Sequence, residues 1–267
     1  MRIKDRIVAV TGGGQGLGRA MVEDVLARGA RVVAVLDVDG AAARGTAAEM
    51  SGTVIAVEAD VASEESLRAA IDHIRSEAGP IDVFISNAGI ADIHTSPFTD
   101  DAVWERNWRV NAMSNVYAAR ILLPEMLERG SGHLVATASS NALTSNPLDM
   151  AYAVSKHAQL AVAEWLAMTY GEAGIGVTCF CPKGMSTPML RATAASGDPY
   201  AMKALKSAVT PAEAATICLD AVEADRFMAV TYLPVVEEFA LKGRDYEAWI
   251  ASAQAMHREL APGAGRA

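Results

Sequence analysis

Long apolar runs, a surplus of positive charge and paired cysteines are all missing from this chain. No stretch approaches the roughly 18 apolar residues that a membrane-spanning helix requires, so no membrane partner is expected. Lys and Arg number 23 against 32 Asp and Glu, a formal net charge of −9. With a pI near 5.1, the chain has no basic excess to neutralise phosphates, and nucleic acid is excluded as an expected partner. Cys179, Cys181 and Cys218 make an odd number, and the one-residue gap between the first two fits neither a zinc pair nor a redox pair. Positions i and i+2 of a strand share a face, so Cys179 and Cys181 read as small apolar residues beneath a helix, with no disulfide. The histidines His73, His94, His133, His157 and His257 lack metal-ligand spacing, and no metal is expected. The first residues run straight into a strand-like segment without the apolar core or cleavage site of a secretory leader, which makes the cytoplasm the expected compartment.

What is present is a globular composition, 51% hydrophobic and 21% charged, with ample material for a core. Apolar, β-branched runs recur near residues 7–10, 31–37, 54–60, 81–88, 133–139, 176–182 and 227–232. They are nearly continuous, not alternating, as in strands of a parallel sheet covered on both faces. Helix-period segments lie between them at 16–28, 63–77, 101–129, 152–171 and 211–223. Ser63 precedes an acidic first turn, and Gly29 and Gly130 follow their helices in the stop position. The unbroken alternation predicts α/β architecture, a doubly wound and mostly parallel seven-stranded sheet in a single domain over residues 1–260. Residues 187–207 read as a lid over the substrate or as a loosely packed surface helix. Residues 234–260 read as two short helices with Trp249 on an apolar face, and 261–267 as a frayed tail.

Between the first strand and first helix lies Thr-Gly-Gly-Gly-Gln-Gly-Leu-Gly, residues 11–18. Gly12, Gly16 and Gly18 allow a tight turn and close backbone approach, while the helix start at Gln15, Gly16 and Leu17 offers free N–H groups to a pyrophosphate. A tight turn alone also wants glycine, so the loop draws its meaning from its place. Asp37 ends the second strand nineteen residues after Gly18. A carboxylate there accepts bonds from a ribose 2′-OH and repels a 2′-phosphate, which favours NAD over NADP. Asp39 reads instead as the cap of the next helix.

This loop, followed in order by Asp60-Val61, Asn87-Ala88-Gly89, Asn111, Ser139 and Tyr152-Ala153-Val154-Ser155-Lys156, resembles the short-chain dehydrogenase/reductase family in its short single-domain branch. The resemblance spans nearly the whole chain and implies a Rossmann fold. It also implies that Asp60 and Val61 contact the adenine, that the Asn87–Ala88–Gly89 turn passes close to the cofactor, and that Asn111 kinks its helix and holds a water serving the lysine. Pro182, Met185 and Thr187 are implied to wrap the nicotinamide carboxamide, although Lys183 stands where the family usually has glycine. The Asp-Gly-Gly ending of many tetrameric members is absent. A homo-oligomer is expected, with a dimer through the helices of Asn111 and Tyr152 ahead of a tetramer.

Tyr152 and Lys156 are four apart and so share one helix face. A free phenol titrates near 10, and an ammonium within about 4–6 Å favours its phenolate by roughly 1–3 pH units. Ser139, at a strand end, is placed to hold and stabilise a substrate oxygen. Asn111, Ser139, Tyr152 and Lys156 are therefore the expected catalytic set, with Tyr152 and Lys156 also meeting the cofactor. The expected protein is an NAD-dependent oxidoreductase acting on a secondary alcohol or ketone. Met150, Met185, Met189 and Leu190 suggest a hydrophobic small-molecule substrate. The alternatives are an NAD-binding sensor or scaffold without catalysis, or an imine or enoyl reductase of the same family.

Overall fold

The computed structural model describes residues 1–260 except 93, 146, 187, 196, 198 and 207, with backbone alone at 188, 189, 192, 193, 200 and 260. Seven strands form one parallel sheet: β1 Ile7–Thr11, β2 Val32–Asp37, β3 Val54–Glu58, β4 Val83–Ser86, β5 Gly132–Thr137, β6 Ile175–Cys181 and β7 Met228–Val230. Their order is β3-β2-β1-β4-β5-β6-β7, with every pairing parallel. The expected doubly wound architecture is thus the one found. The chain reverses direction of travel across the sheet between β1 and β4, and a crevice opens beyond the strand ends at such a point.

The strands are apolar without alternation because both faces are covered. On one face Ala9, Leu36, Phe84, Leu134 and Cys179 pack against α3 Glu64–Ala78, α5 Ser114–Glu128 and α7 Met150–Tyr170. On the other, Val10, Val35, Ile85, Val135 and Phe180 pack against α1 Gly16–Ala27 and α10 Pro211–Glu223. Cys179 and Cys181 lie on the first face, free and buried, with their sulfurs 3.8 Å apart. Helix α2 Gly40–Glu49 starts at Asp39, whose carboxylate accepts the N–H groups of Ala41 and Ala42, as its reading as a cap requires.

The helix expected over 101–129 is three pieces: α4 Asp101–Asn107, a π turn at Trp108–Met113, and α5. Side chains explain the widened turn. The Ser114 hydroxyl donates to the Val110 carbonyl at 2.6 Å and the Asn115 carboxamide to the Asn111 carbonyl at 2.9 Å, both taking acceptors one turn back. A short α6 Asn141–Thr144 follows β5. Within 187–207, where the helical pattern is poor, the chain forms α8 Pro188–Ala195 and α9 Pro199–Lys206, each opening on a proline suited to a first turn. Two helices close the described chain, α11 Pro234–Arg244 and α12 Tyr246–Leu260, with Trp249 buried. The tail 261–267 lies outside the described residues. No described helix is long and apolar enough to cross a membrane.

A buried histidine ties the centre of the sheet to its edge. Thr178 spends its hydroxyl proton on the Arg226 carbonyl, so His133 Nε2, 2.9 Å from that hydroxyl, must be the donor. Nδ1 is then bare, and opposite it Gly176 leaves the room a side chain would take. Burial, reinforced by the N-terminal charge, lowers the His133 pKa to about 4. The unfolded chain, titrating near 6.5, binds this proton more readily, so stability is full above pH 6.5 and falls as pH drops towards 4. This group alone is expected to cost about 3 kcal/mol across that window. Urea unfolding of wild type and His133→Gln between pH 7 and 4.5 tests it: the variant should lose stability less steeply, and parallel curves would refute the assignment.

Candidate active site

The loop after β1 is shaped by backbone contact. Gly12 and Gly16 have φ of +64° and +56°, a region that favours glycine. At Gly18 a Cβ would stand 2.0 Å from the Gly12 carbonyl oxygen, so the start of α1 lies directly on the loop. Gln15 is the N-cap residue of α1 but its side chain makes no capping bond, which leaves the helix N–H groups facing outward for an anion. Leu17 is buried beneath them. Asp37, at the end of β2, accepts the Gly14 N–H at 3.0 Å on one oxygen and the Asp39 N–H at 3.1 Å on the other. Its charge is thereby fixed at the rim of the glycine loop, with lone pairs to spare. Asp60 caps the turn after β3 by accepting the Ala62 N–H, and Val61 beside it is buried.

The Asn87–Ala88–Gly89 turn is bound to the end of β1. Thr11 Oγ1 accepts the N–H groups of Asn87 and Ala88 at 2.9 and 3.0 Å, and the Asn87 carboxamide donates to the Thr11 carbonyl. Gly89 then passes so close to the centre that a Cβ would lie 3.2 Å from Asn111 Oδ1 and 3.4 Å from Lys156 Nζ. Asn111 is fully buried. It grips the Ile90 backbone with both ends of its carboxamide at 2.9 Å and donates to Ser155 Oγ at 3.0 Å.

Ser139 follows β5 and is buried, its hydroxyl accepting the Asn141 N–H at 3.1 Å. The next residue, Ser140, belongs to the turn, donating its N–H to the Pro182 carbonyl at 2.8 Å. Tyr152 lies in the first turn of α7, and its phenol is hydrogen-bonded to Ser139. Lys156 is buried with Nζ 5.7 Å from the centre of the Tyr152 ring. That ammonium donates to the Thr137 carbonyl and to Gln159 Oε1, each at 2.9 Å.

Asn111, Ser139, Tyr152 and Lys156 are therefore brought together, but their electrostatics differ from the expectation. Burial raises the Tyr152 pKa, Asp149 and Cys181 add to the rise, and the bond to Ser139 offsets it only in part. Lys156 is itself lowered to about 8, because burial disfavours its charge more than Cys179 and Cys181 favour it. The protein's own groups thus leave the phenol protonated at neutral pH, the state of a proton donor.

Beyond β6, Pro182 is buried, and Lys183 donates its N–H to Thr231 Oγ1 at 3.0 Å. The Lys183 ammonium sits 3.6 Å from the centre of the Tyr232 ring, a cation–π contact that holds it as a half-buried side chain. Met185 pairs with Val209 across an isolated bridge, while Thr187 lies outside the described residues. Sequence reasoning passed over Thr11, Asn115, Thr137 and Gln159. Asn115 and Gln159 had a visible signal, since each is polar within an apolar helix face and spaced four and three residues from Asn111 and Lys156.

The family model described as short chain dehydrogenase matches residues 6–197. The 1-deoxy-11-beta-hydroxypentalenate dehydrogenase of Streptomyces exfoliatus is 34% identical over 242 residues, covering 85% of this chain and 83% of that protein. The 2-(S)-hydroxypropyl-CoM dehydrogenase 3 of Xanthobacter autotrophicus is 34% identical over 184 residues, 68% of this chain and 72% of the relative. Among solved structures, a short chain dehydrogenase/reductase from Burkholderia phymatum in complex with NAD superposes with a TM-score of 0.83 at 25% identity, covering 93% of this chain and 96% of that one.

The loop geometry yields a paired test. Gly18→Ala forces backbone against backbone and should cost about 1–3 kcal/mol. Gly45→Ala, in helix α2 with no atom within 4 Å of its added Cβ, should stabilise by about 0.5–1 kcal/mol. Urea unfolding of both variants measures the contrast, and equal effects would contradict the close approach at Gly18.

Proposed function

The chain belongs to the short-chain dehydrogenase family, and we propose that it interconverts a secondary alcohol and its ketone with NAD, Tyr152 exchanging the proton. The observation that carries this reading is the grouping of Ser139 with the Tyr152 phenol and of Lys156 with Tyr152 and Gly89, in a chain whose glycine loop leaves its helix start unblocked. A nicotinamide cofactor fits these residues. Gly12, Gln15, Gly16, Leu17 and Gly18 would hold its pyrophosphate, Asp37 a ribose, Asp60 and Val61 the adenine, and Asn87, Ala88, Gly89, Pro182 and Met185 the approach to the ring. When bound, the cofactor supplies or accepts the hydride.

The residues of the chain do the rest. Ser139 holds the substrate oxygen, with its own oxygen steadied by the Asn141 N–H. Tyr152, kept protonated by burial, donates its proton to that oxygen in the reducing direction. In the oxidising direction it must first lose the proton, and the ammonium of Lys156 stabilises the phenolate. Asn111 fixes the helix start by tying Ser155 to Ile90. The Asp37 carboxylate at the loop rim supports NAD over NADP, since it would repel a 2′-phosphate.

The relatives quoted above are both named for hydroxy compounds, which agrees with an alcohol substrate. We assign the substrate side to α8, α9, α11 and α12, as parts of one domain with the sheet. Gly184 lies where α9 packs onto the segment after β6, a Cβ there meeting Ala204 at 3.0 Å. An apolar groove of about 420 Å³ between α5 and α7, walled by Val116, Leu123, Val162 and Trp165, supports a dimer through those helices.

Tyr152→Phe should lower kcat by roughly 10²–10⁴-fold with NAD affinity nearly unchanged, read by NADH absorbance across a panel of secondary alcohols. Turnover close to wild type would sink the mechanism, and a wild type that binds NAD but turns over no alcohol, ketone or imine would point to a sensor. Asp37→Ser should reduce the preference for NAD over NADP in kcat/KM by about tenfold or more. A wild-type enzyme already faster with NADP would refute the role given to Asp37.

A further inference from the structure

Lys156 is a buried cation with no carboxylate partner among the described residues. An ammonium has three N–H donors, and two of them are spent on neutral oxygens, the Thr137 carbonyl and Gln159 Oε1, both at 2.9 Å. Gln159 is itself almost fully buried and is held from its other end, Nε2 donating to Asn115 Oδ1 at 3.3 Å. Asn115, also buried, turns its Nδ2 to the Asn111 carbonyl in the π turn at 2.9 Å. Each carboxamide orientation is therefore determined. The Asn111 carbonyl can only accept, so Asn115 must present Nδ2 to it and Oδ1 to Gln159. Gln159 must then present Nε2 to Asn115, which leaves its oxygen for the lysine. Reversing either amide would set donor against donor.

We infer that Gln159 and Asn115 are positioning residues of the active site, a carboxamide pair that holds the Lys156 ammonium charged and aimed at Tyr152 by occupying its rear donors. The third N–H is left for the side of Gly89 and the phenol, the direction in which the reaction needs it. A neutral acceptor suits this place better than an acid. A glutamate at 159 would cancel much of the field that Lys156 exerts on Tyr152, whereas a carboxamide oxygen stabilises the ammonium through its dipole and leaves the net charge at +1. Two apolar residues in their place would leave the ammonium with the Thr137 carbonyl as its one remaining described acceptor in a site that already disfavours charge.

The consequence for Tyr152 rests on the function proposed above, but the hold on Lys156 does not, and the test separates the two. Protein carrying ¹³C at lysine Cε reports the Lys156 titration by NMR without turnover. Gln159→Met, which keeps volume and removes the acceptor, should lower the Lys156 titration midpoint by about one pH unit below that of wild type. Asn115→Ala, which releases the far end of Gln159, should lower it by less and carries the test should Gln159→Met fail to fold. Gln159→Met should also lower kcat for alcohol oxidation about tenfold at pH 7 with little change in thermal midpoint. A Lys156 midpoint unmoved in both variants would overturn the inference, whatever their activity. A shifted midpoint in a protein that oxidises no alcohol would support the inference while removing the proposed function.

Discussion

The rest of the site depends on one constraint, a lysine ammonium buried in the middle of the protein with neutral oxygens as its partners. Removing a charge from water costs several kcal/mol even after relaxation, and the usual remedy is an opposite charge. Here a carboxylate at contact would neutralise the field that the ammonium casts on the Tyr152 ring, 5.7 Å away. The protein answers with geometry. A strand-end carbonyl and a carboxamide each give the ammonium an oxygen at 2.9 Å, and burial lowers its pKa to about 8 without abolishing its charge at neutral pH.

That answer explains the π turn. A regular α-helix through residues 108–113 would spend the carbonyls of Val110 and Asn111 on backbone N–H groups one turn later. Ser114 and Asn115 take those carbonyls with side chains instead, and the backbone widens by one residue. The widening carries Asn111 inward to clasp Ile90 and Ser155, and Asn115 inward to meet Gln159. The distortion of the helix and the support of the lysine are one arrangement. A buried polar network is stable only when every member is satisfied, and this one closes from Ile90 through Asn111, Asn115 and Gln159 to Lys156.

The sheet was legible because its signal is local and repeated. Each strand is a short apolar run, and the seven runs pair in parallel, as their alternation with helices requires. The glycine loop and the grouping of Asn111, Ser139, Tyr152 and Lys156 were legible through their order in the chain and the family resemblance it carries, Asn111 by the resemblance alone, for it lies in the π turn while Tyr152 and Lys156 lie on α7 and Ser139 at a strand end. The break in the helix over 101–129 was implied by resemblance and not by its composition, since nothing in the apolar period marks a widened turn. Helices α8 and α9 were obscured by their brevity, since each is amphipathic but only eight residues long, too short for its period to repeat against the surrounding Ala, Ser, Thr and Gly. The electrostatics went furthest astray. Proximity of Tyr152 and Lys156 suggested a lowered phenol pKa, whereas burial, which spacing cannot reveal, raises it.

A long-range contact shows what no local pattern in the sequence reveals. Helix α7 presents Tyr152, Lys156 and Gln159 inward, but one residue further round it presents His157 towards α11. His157 Nδ1 is 2.9 Å from the Ala153 carbonyl, which fixes that nitrogen as donor and leaves Nε2 to accept from Lys242 at 3.1 Å. Lys242 also donates to the Leu143 carbonyl of α6 at 3.0 Å. Burial lowers the pKa of both partners and the Lys242 charge lowers His157 further, so the imidazole stays neutral, as the contact demands. One side chain of α11 thus joins the helix of Tyr152 to the turn after Ser139. The packing of α11 is thereby tied to both α6 and α7. The two partners stand 85 positions apart, a distance across which no periodicity speaks.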